Sequence, residues 1–460
     1  MSLFEGPLRV SPINPRYFTD DRGEAIYLTG SHTWAVMQDM WLEGTPRRNM
    51  DYSGFLQMLD DYGHNFLRFW QWMHTKNAGW SETPTCFDPQ PFARTGPGVA
   101  NDGLPKFDLS IWNEAYFTRL RERVEQAGAR GIYTGVMLFE AWTIKESGPK
   151  TDPWIHHPMN PANNVNGVTD NPVVENGRAW NVFSLNCPQI LAWQKEYVRK
   201  VVDTLNDLDH VLWEICNEIP HNREAMEWSE HLTGFIHEYE RGKPKQHPVG
   251  ITAEGGDQDN AELFATCADW ISPSTGRLFE YRYSPPPADG SKVILTDTDH
   301  LWGIGCEVGW IWKSFTRGMN VLFMDPWEPI PDDMDWWFKN SLSLNRRYYH
   351  VWDPVRRNLG YTRRFALRMN LNASAPHGEL CTSGYCLAQP GETYLCFFPE
   401  GGYGGMDLWE AEGRFAVEWF NPMTGEPFDG GTVEGGNRHA LSAPFTGASV
   451  LFLQRVTESS

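Results

Sequence analysis

Short apolar runs recur along the first three quarters of the chain, and each closes abruptly in polar and aromatic residues. Ala25 to Thr29 runs into Gly30-Ser31-His32-Thr33-Trp34, and Asn65 to Trp72 carries Arg68 and Trp70. Tyr133 to Phe139 closes in Glu140-Ala141-Trp142, and Val211 to Cys216 closes in Asn217-Glu218. Further on, Val249 to Thr252 closes in Ala253-Glu254-Gly255, Trp270-Ile271 in Ser272, Lys292 to Thr296 in Asp297-Thr298-Asp299-His300, and Asn320 to Met324 in Asp325-Pro326-Trp327. Runs this short, rich in β-branched and aromatic residues, read as buried strands.

Between them lie stretches with apolar residues at helical spacing. Tyr52 to Tyr62, ended by Gly63, is one. Others run from a cap at Ser110 or Asn113 to Ala129, from Pro188 to Leu208, from Arg223 to Arg241, from Gly309 to Arg317 and from Asp335 to Trp352. Strict alternation of strands and helices predicts a parallel sheet. About eight strands in roughly 300 residues predict a closed (β/α)8 TIM barrel, an α/β fold, over an open sheet. No glycine-rich phosphate turn follows the first strand, which removes the main reason to prefer the open sheet.

The pattern changes at both ends. Arg9 to Asp20 and RYFTDDRGEAIYLTG read as an N-terminal hairpin, residues 1–23, packed on the barrel of residues 24–358. Beyond Leu359, runs such as TYLCFFP, FAVEWFNP and SVLFLQRV alternate with PGE, PEGGYGG, MTGE and DGG turns. That is the pattern of a small all-β sandwich over 359–460.

A formal net charge of −20 argues against a nucleic acid or an anionic membrane surface as partner. No apolar stretch reaches the roughly 20 residues of a membrane-spanning helix. The start, MSLFEGPLRV, lacks a basic segment followed by an apolar core, so the expectation is a cytoplasmic protein unless a secretory leader has been removed. The eight cysteines are scattered through apolar runs with no CxxC pair, which reads as reduced thiols; only Cys381 and Cys386 are close enough to raise a disulfide. Twenty-two tryptophans are the compositional outlier. Most belong to the core, but Trp70, Trp72, Trp142 and Trp302 fall beside strand-end polar residues, where a ring can stack on a sugar.

Barrel sites lie at the C-terminal ends of the strands. Collecting the polar residues there yields His32, Arg68, Glu140, Asn217, Glu218, Glu254, Asp297, Asp299 and His300, with Trp70, Trp142 and Trp327 alongside. The set is acidic and aromatic, with no Ser-His-Asp order and no phosphate cradle. Two carboxyl groups suffice to cleave a glycosidic bond, one protonating the leaving oxygen and one attacking carbon or activating water, with neither metal nor organic cofactor. Glu214, two turns of the pleat before Glu218, reads instead as a buried acid paired to an arginine.

Strand four ending in Asn217-Glu218, strand two carrying Arg68 and strand eight ending in Trp327 resemble the clan A glycoside hydrolases. LTGSHTW, YLCFFPEGG and VEWFNPMTGE resemble, within that clan, the apiosidase-like group, whose small trailing domain carries a collagen-binding label. The resemblance implies an enzyme acting on a carbohydrate: Glu218 as acid/base, Asn217 on the sugar 2-hydroxyl, Arg68 keeping the nucleophile ionised and Trp327 under the sugar. Where the clan places a glutamate on strand seven, this chain has Asp297, with Asp299 at period two on the same face, roughly 7 Å further along. Asp297 falls where that glutamate would be and is the expected nucleophile, with Asp299 the alternative second carboxylate. The resemblance favours retention; the shorter aspartate leaves inversion open. Two rivals stand beside this reading: a phosphoester hydrolase holding a metal on Asp297, Asp299, His300 and His32, and a carbohydrate-binding protein without turnover. Because Asn217 and Glu218 face opposite ways on a regular strand, the ladder is expected to cease near Cys216 or to bulge there.

Overall fold

The computed structural model describes residues 3–77, 84–144, 152–170, 172, 174–175, 178–256, 258–303, 305–327 and 350–456. Eight parallel strands form one sheet: β1 (Thr29–His32), β2 (Phe66–Phe69), β3 (Tyr133–Glu140), β4 (Val211–Asn217), β5 (Val249–Thr252), β6 (Trp270–Ser272), β7 (Val293–Asp297) and β8 (Asn320–Met324). From β2 to β8 each pairs with the next in chain order, and β8 pairs with β1, so the sheet curls into a barrel whose β1 and β2 face each other across the last seam. Asn65 closes the last seam with both of its halves. Its N–H donates to the Thr29 carbonyl at 3.0 Å, and its Oδ1 accepts the Thr29 N–H at 2.9 Å. The strands meet so closely here that a Cβ on Gly30 would lie 1.9 Å from the Phe66 carbonyl oxygen, so only glycine fits.

The first barrel strand thus sits four residues later than the apolar run Ala25 to Thr29 suggests. Ala25–Ile26 instead completes a three-stranded antiparallel layer with Arg9–Val10 and Phe18–Thr19, one strand more than the expected hairpin. The apolar count misplaces β1 because its own residues, TGSH, are small and polar yet wholly buried. The N-terminal layer plugs the bottom of the barrel, where Phe18, Leu28, Phe66, Leu212, Trp270 and Leu322 form one apolar cluster. That leaves the strands' C-terminal ends as the open side.

Helices α1 (Tyr52–Asp61), α2 (Glu114–Gly128), α3 (Pro188–Leu205), α4 (Arg223–Glu240) and α5 (Ala261–Ala265) follow β1, β2, β3, β4 and β5. Asp51 and Asn222 cap α1 and α4 by accepting the N–H three residues on. The segment before α2, read as loop because of its Gly and Pro, contains the antiparallel hairpin Phe92–Val99 and Pro105–Trp112. The helix expected over Asp335 to Trp352 lies, up to residue 349, outside the described residues.

A later helix, Asp353–Ala366, crosses the expected boundary at 358/359. Its Val355 and Leu359 join the barrel core, while Phe365 and Ala366 join the second core beneath the trailing domain. That domain is antiparallel: six strands, β9 (Ala375–Pro376), β10 (Cys386–Gln389), β11 (Thr393–Phe398), β13 (Arg414–Phe420), β14 (Pro427–Glu434) and β16 (Ser449–Arg455), in the order 9-10-11-16-13-14, with β12 (Tyr403–Asp407) paired to β15 (Arg438–Ser442) as a second layer. Alternation along β11 sends Leu395 and Phe397 toward the barrel helix residues Trp312 and Phe315, and Tyr394, Cys396 and Phe398 toward the second layer. The eight cysteines are free thiols, Cys381 and Cys386 included.

Candidate active site

Arg68 is the hub at the open end of the barrel. Its side chain, 2% exposed, reaches from β2 across to β4 and β7. Nε and Nη2 donate to the two Glu214 oxygens at 2.7 and 2.5 Å, and Nη2 also donates to Asn217 Oδ1 at 2.5 Å. Nη1 lies 3.1 Å from Asp299 Oδ2 and 3.4 Å from Asp297 Oδ2. A planar guanidinium with five donors can serve four acceptors at once, which an ammonium cannot. Glu214 therefore acts as the buried counter-charge that the sequence suggested, and its desolvation is offset by this bidentate pair.

Asp297 is enclosed completely, at 0% exposure. His32 Nε2 donates to it, 2.8 and 2.9 Å from its two oxygens, and the Asp299 N–H donates to Oδ1 at 3.0 Å. Although burial alone would raise it, His32 and Arg68 hold the Asp297 carboxyl well below the usual carboxylate range. His32 is itself oriented from behind: the Trp70 indole N–H donates to Nδ1 at 2.7 Å. An indole can only donate, so Nδ1 must be the bare nitrogen, and the proton sits on Nε2 facing Asp297.

Asp299 does not continue the strand, contrary to the period-two expectation. β7 ends at Asp297, which caps the short helix Thr298–Leu301 by accepting the Asp299 N–H. The turn folds Asp299 back over Asp297. It keeps 6% exposure, close to the 7% of Glu218. Burial, and next to it the charge of Glu218, push the Asp299 carboxyl well above its ordinary value. The two acids thus compete for charge in one space, as like-charged carboxylates in a dry pocket must.

The expected irregularity in β4 takes a particular form. Toward β3 the ladder continues through Asn217, opposite Glu140, one residue beyond expectation. Toward β5 it stops at Glu214–Gly250 and resumes only at Ile219–Ala253, so two extra residues bulge out of β4. Thr252 Oγ1 spans the gap, donating to the Cys216 carbonyl at 2.8 Å and accepting the Glu218 N–H at 3.3 Å. Glu218 adopts φ +50°, one of three non-glycine residues with positive φ among those described. Such a backbone costs about 1 kcal/mol or more and concentrates at functional sites. The bulge sends Asn217 and Glu218 to the same side despite their adjacent positions.

Around this core, His300 Nε2 lies 3.3 Å from Asn217 Oδ1 and its Nδ1 lies 2.9 Å from the Ser272 hydroxyl. With two donors on Oδ1, the Asn217 amide has one orientation, and its buried Nδ2 has no hydrogen-bond partner among the described residues. It is a donor held ready for a hydroxyl. Trp327, partly buried after β8, packs against Phe55 with ring centroids 5.9 Å apart. Glu254 stands on the rim, its Oε2 3.4 Å from the His221 N–H.

Three residues expected at the substrate are buried elsewhere: Glu140, Trp70 and Trp72. Glu140 is fully buried, accepting the Thr143 N–H at 2.8 Å and the Met73 N–H at 3.3 Å, so its carboxylate is consumed by loop backbone. Trp70 is fully buried behind His32, and Trp72, also buried, donates to the Trp34 carbonyl. Trp142 and Trp302 are partly buried against the core. Thr252 and Ser272, polar residues at strand ends like the others, also serve the site: Thr252 bridges the β4 bulge and Ser272 holds His300.

A family model described as a domain of unknown function (DUF6298) matches residues 77–269, a span that contains β3 to β5 and Glu218. No curated protein matches the chain. Among solved structures, a glycoside hydrolase family 5 protein from Bacteroides vulgatus superposes with a TM-score of 0.64 at 13% identity, covering 98% of this chain and 94% of that one. Another, described as a glycoside hydrolase, does so with a TM-score of 0.63 at 13% identity, covering 99% and 98%. The likeness is one of fold, and it extends through the trailing domain as well as the barrel.

Proposed function

We propose that the chain is a glycoside hydrolase that cleaves an O-glycosidic bond with Glu218 and Asp299, by the retaining route. The reading rests on one observation: two slightly accessible carboxyl groups share a space at the open end of the barrel, and the charge of one raises the proton affinity of the other. For the reaction Glu218 is the proton donor and Asp299 the nucleophile, lying 3.1 Å from the Arg68 guanidinium that offsets its charge.

Glu218 then protonates the leaving oxygen as the bond to the anomeric carbon breaks, while Asp299 forms the new bond to that carbon. Glu218, now ionised, takes a proton from water, which displaces Asp299 and restores both groups. Asp297, closed in by His32, Arg68 and the Asp299 amide, has no open lone pair to attack carbon; it fixes the cluster instead. Asn217 Nδ2 is free to bind a sugar hydroxyl, and Trp327 supplies an apolar face at the rim. Retention rests on the resemblance of Asn217-Glu218 on β4 and Arg68 on β2 to the clan A glycoside hydrolases. The fold shared with glycoside hydrolases is consistent with this chemistry.

The metal-dependent alternative lacks support. Among the described residues no group of three or more His, Cys, Asp or Glu side chains is arranged to hold an ion, and His32 is spent on Asp297 and Trp70.

The test is a panel of aryl glycosides and plant and bacterial polysaccharides, with proton NMR of the anomer first released. Glu218→Gln and Asp299→Asn should each lower kcat by about 10³-fold or more while leaving the fold intact, and the first anomer should keep the substrate's configuration. An inverted anomer rejects retention. Full activity in both variants rejects the assignment, and binding without turnover revives the lectin-like alternative.

A further inference from the structure

The second layer of the trailing domain presents two aromatic side chains that the fold does not use. Along β12, Gly404 and Met406 turn inward while Tyr403 and Asp407 turn out, and Trp409 follows two residues on. Tyr403 is 60% and Trp409 64% exposed. Neither ring has an aromatic or cationic partner among the described residues, whereas most of the chain's other tryptophans are at least partly buried. The exposure is not that of a loose loop tip. Asp407 Oδ1 accepts the Trp409 N–H at 3.0 Å, and Asp407 Oδ2 accepts from Arg438 Nε at 2.8 Å on the facing strand. One carboxylate therefore ties down the Trp409 backbone and a guanidinium.

Two cavities of about 480 and 330 Å³ lie here and share Leu380, Asp407 and Arg438; Tyr403 lines the first and Trp409 the second. They form one trough with an aromatic face at each end and fork-shaped donors between. Tyr403 and Asp407 alone, four residues apart on an extended strand, span about 13 Å, too long for one sugar ring. Asp407 and Arg438 pair at its centre, and Glu379, Glu410 and Glu412 against Arg455 leave the rest of the lining unfavourable to anions, so the trough suits an uncharged ligand with flat apolar faces and many hydroxyls.

We propose that this trough binds a neutral oligosaccharide segment of a polysaccharide, at a site separate from the barrel pocket. Stacking on Trp409 and Tyr403 supplies the affinity, and Arg438 and Asp407 receive the hydroxyls.

The experiment is native affinity electrophoresis of the full chain through gels containing soluble mannan, xylan, arabinan or mixed-linkage β-glucan. Wild type should be retarded by at least one, and Trp409→Ala with Tyr403→Ala should weaken that retardation about tenfold or more, with an unchanged melting temperature. Mobility is read without turnover, so a failure of the barrel hydrolase reading leaves this result interpretable. Activity of the double variant on a small aryl glycoside should be unchanged. The proposal is overturned if no polysaccharide retards the wild type, if the double variant is retarded equally, or if only a proline-rich peptide competes for the trough.

Discussion

Trp70→Phe tests whether a buried indole sets the charge of the catalytic cluster. Trp70 donates to His32 Nδ1 and so confines the only ring proton to Nε2, where it meets Asp297. Glu214, Asp297 and Asp299 gather around Arg68, with His300 alongside, and burial and the charge of Glu218 push the Asp299 carboxyl up. Phenylalanine removes the donor, and Nδ1, beside an anion two bonds away, can then bind a proton. Contacts of 2.8, 3.4 and 3.1 Å in series, through Asp297 and Arg68, set an upper bound of about 9 Å between His32 Nε2 and Asp299 Oδ2. At about 9 Å and an effective dielectric of about 20, a new unit charge favours ionisation by about 1.8 kcal/mol, a little over one pK unit. The alkaline limb of kcat/KM should therefore move down by about one pH unit, with the acid-side activity largely kept. Nitrogen-15 spectra of labelled histidine, assigned with His32→Gln, read the ring protons directly: Nε2–H alone in wild type, and Nδ1–H as well in the variant. A cationic His32 in the wild type, or a limb that stays put while the variant's His32 gains its proton, would refute the reasoning.

Three further substitutions probe the frame. Glu214→Gln leaves the buried Arg68 without its bidentate partner and should cost about 3–5 kcal/mol in urea unfolding; a loss under about 1 kcal/mol would mean that Asp297 and Asp299 alone hold the guanidinium. Gly30→Ala drives a methyl to within 1.9 Å of the Phe66 carbonyl and should prevent the barrel from closing; soluble protein with the wild-type melting temperature would place the β1–β2 seam elsewhere. Asp325→Ala removes the bidentate partner of Arg356, both wholly buried at 2.7 and 2.5 Å, leaving Asp353 at 2.9 Å, and should destabilise the joint between barrel and trailing domain by about 3 kcal/mol without moving the pH profile. A changed profile would put Asp325 in electrical contact with the site.

The succession of apolar runs and helical stretches determined the barrel, its open end and the small β domain behind it, because each element must bury one face and its periodicity records which. The same rule, polar residues at strand ends, picked out Arg68, Asn217, Glu218, Asp297 and Asp299, and alternation marked Glu214 as a buried acid paired to an arginine, which the fold supplies as Arg68. It missed β1's position, since a strand of TGSH owes its burial to a tight seam that hydropathy does not register. It also took Trp70 and Glu140 for substrate contacts, because a strand-end side chain that serves a histidine or a loop backbone looks in sequence like one that serves a sugar. What only the tertiary structure decided was how the acids divide their work. Period-two spacing puts Asp297 and Asp299 on one extended face; the fold turns the chain at Asp297, spends that carboxylate on His32 and Arg68, and brings Asp299 round to Glu218. Which of two nearby acids keeps its proton depends on burial and on the charges across the barrel, and those come from strands far apart in the chain.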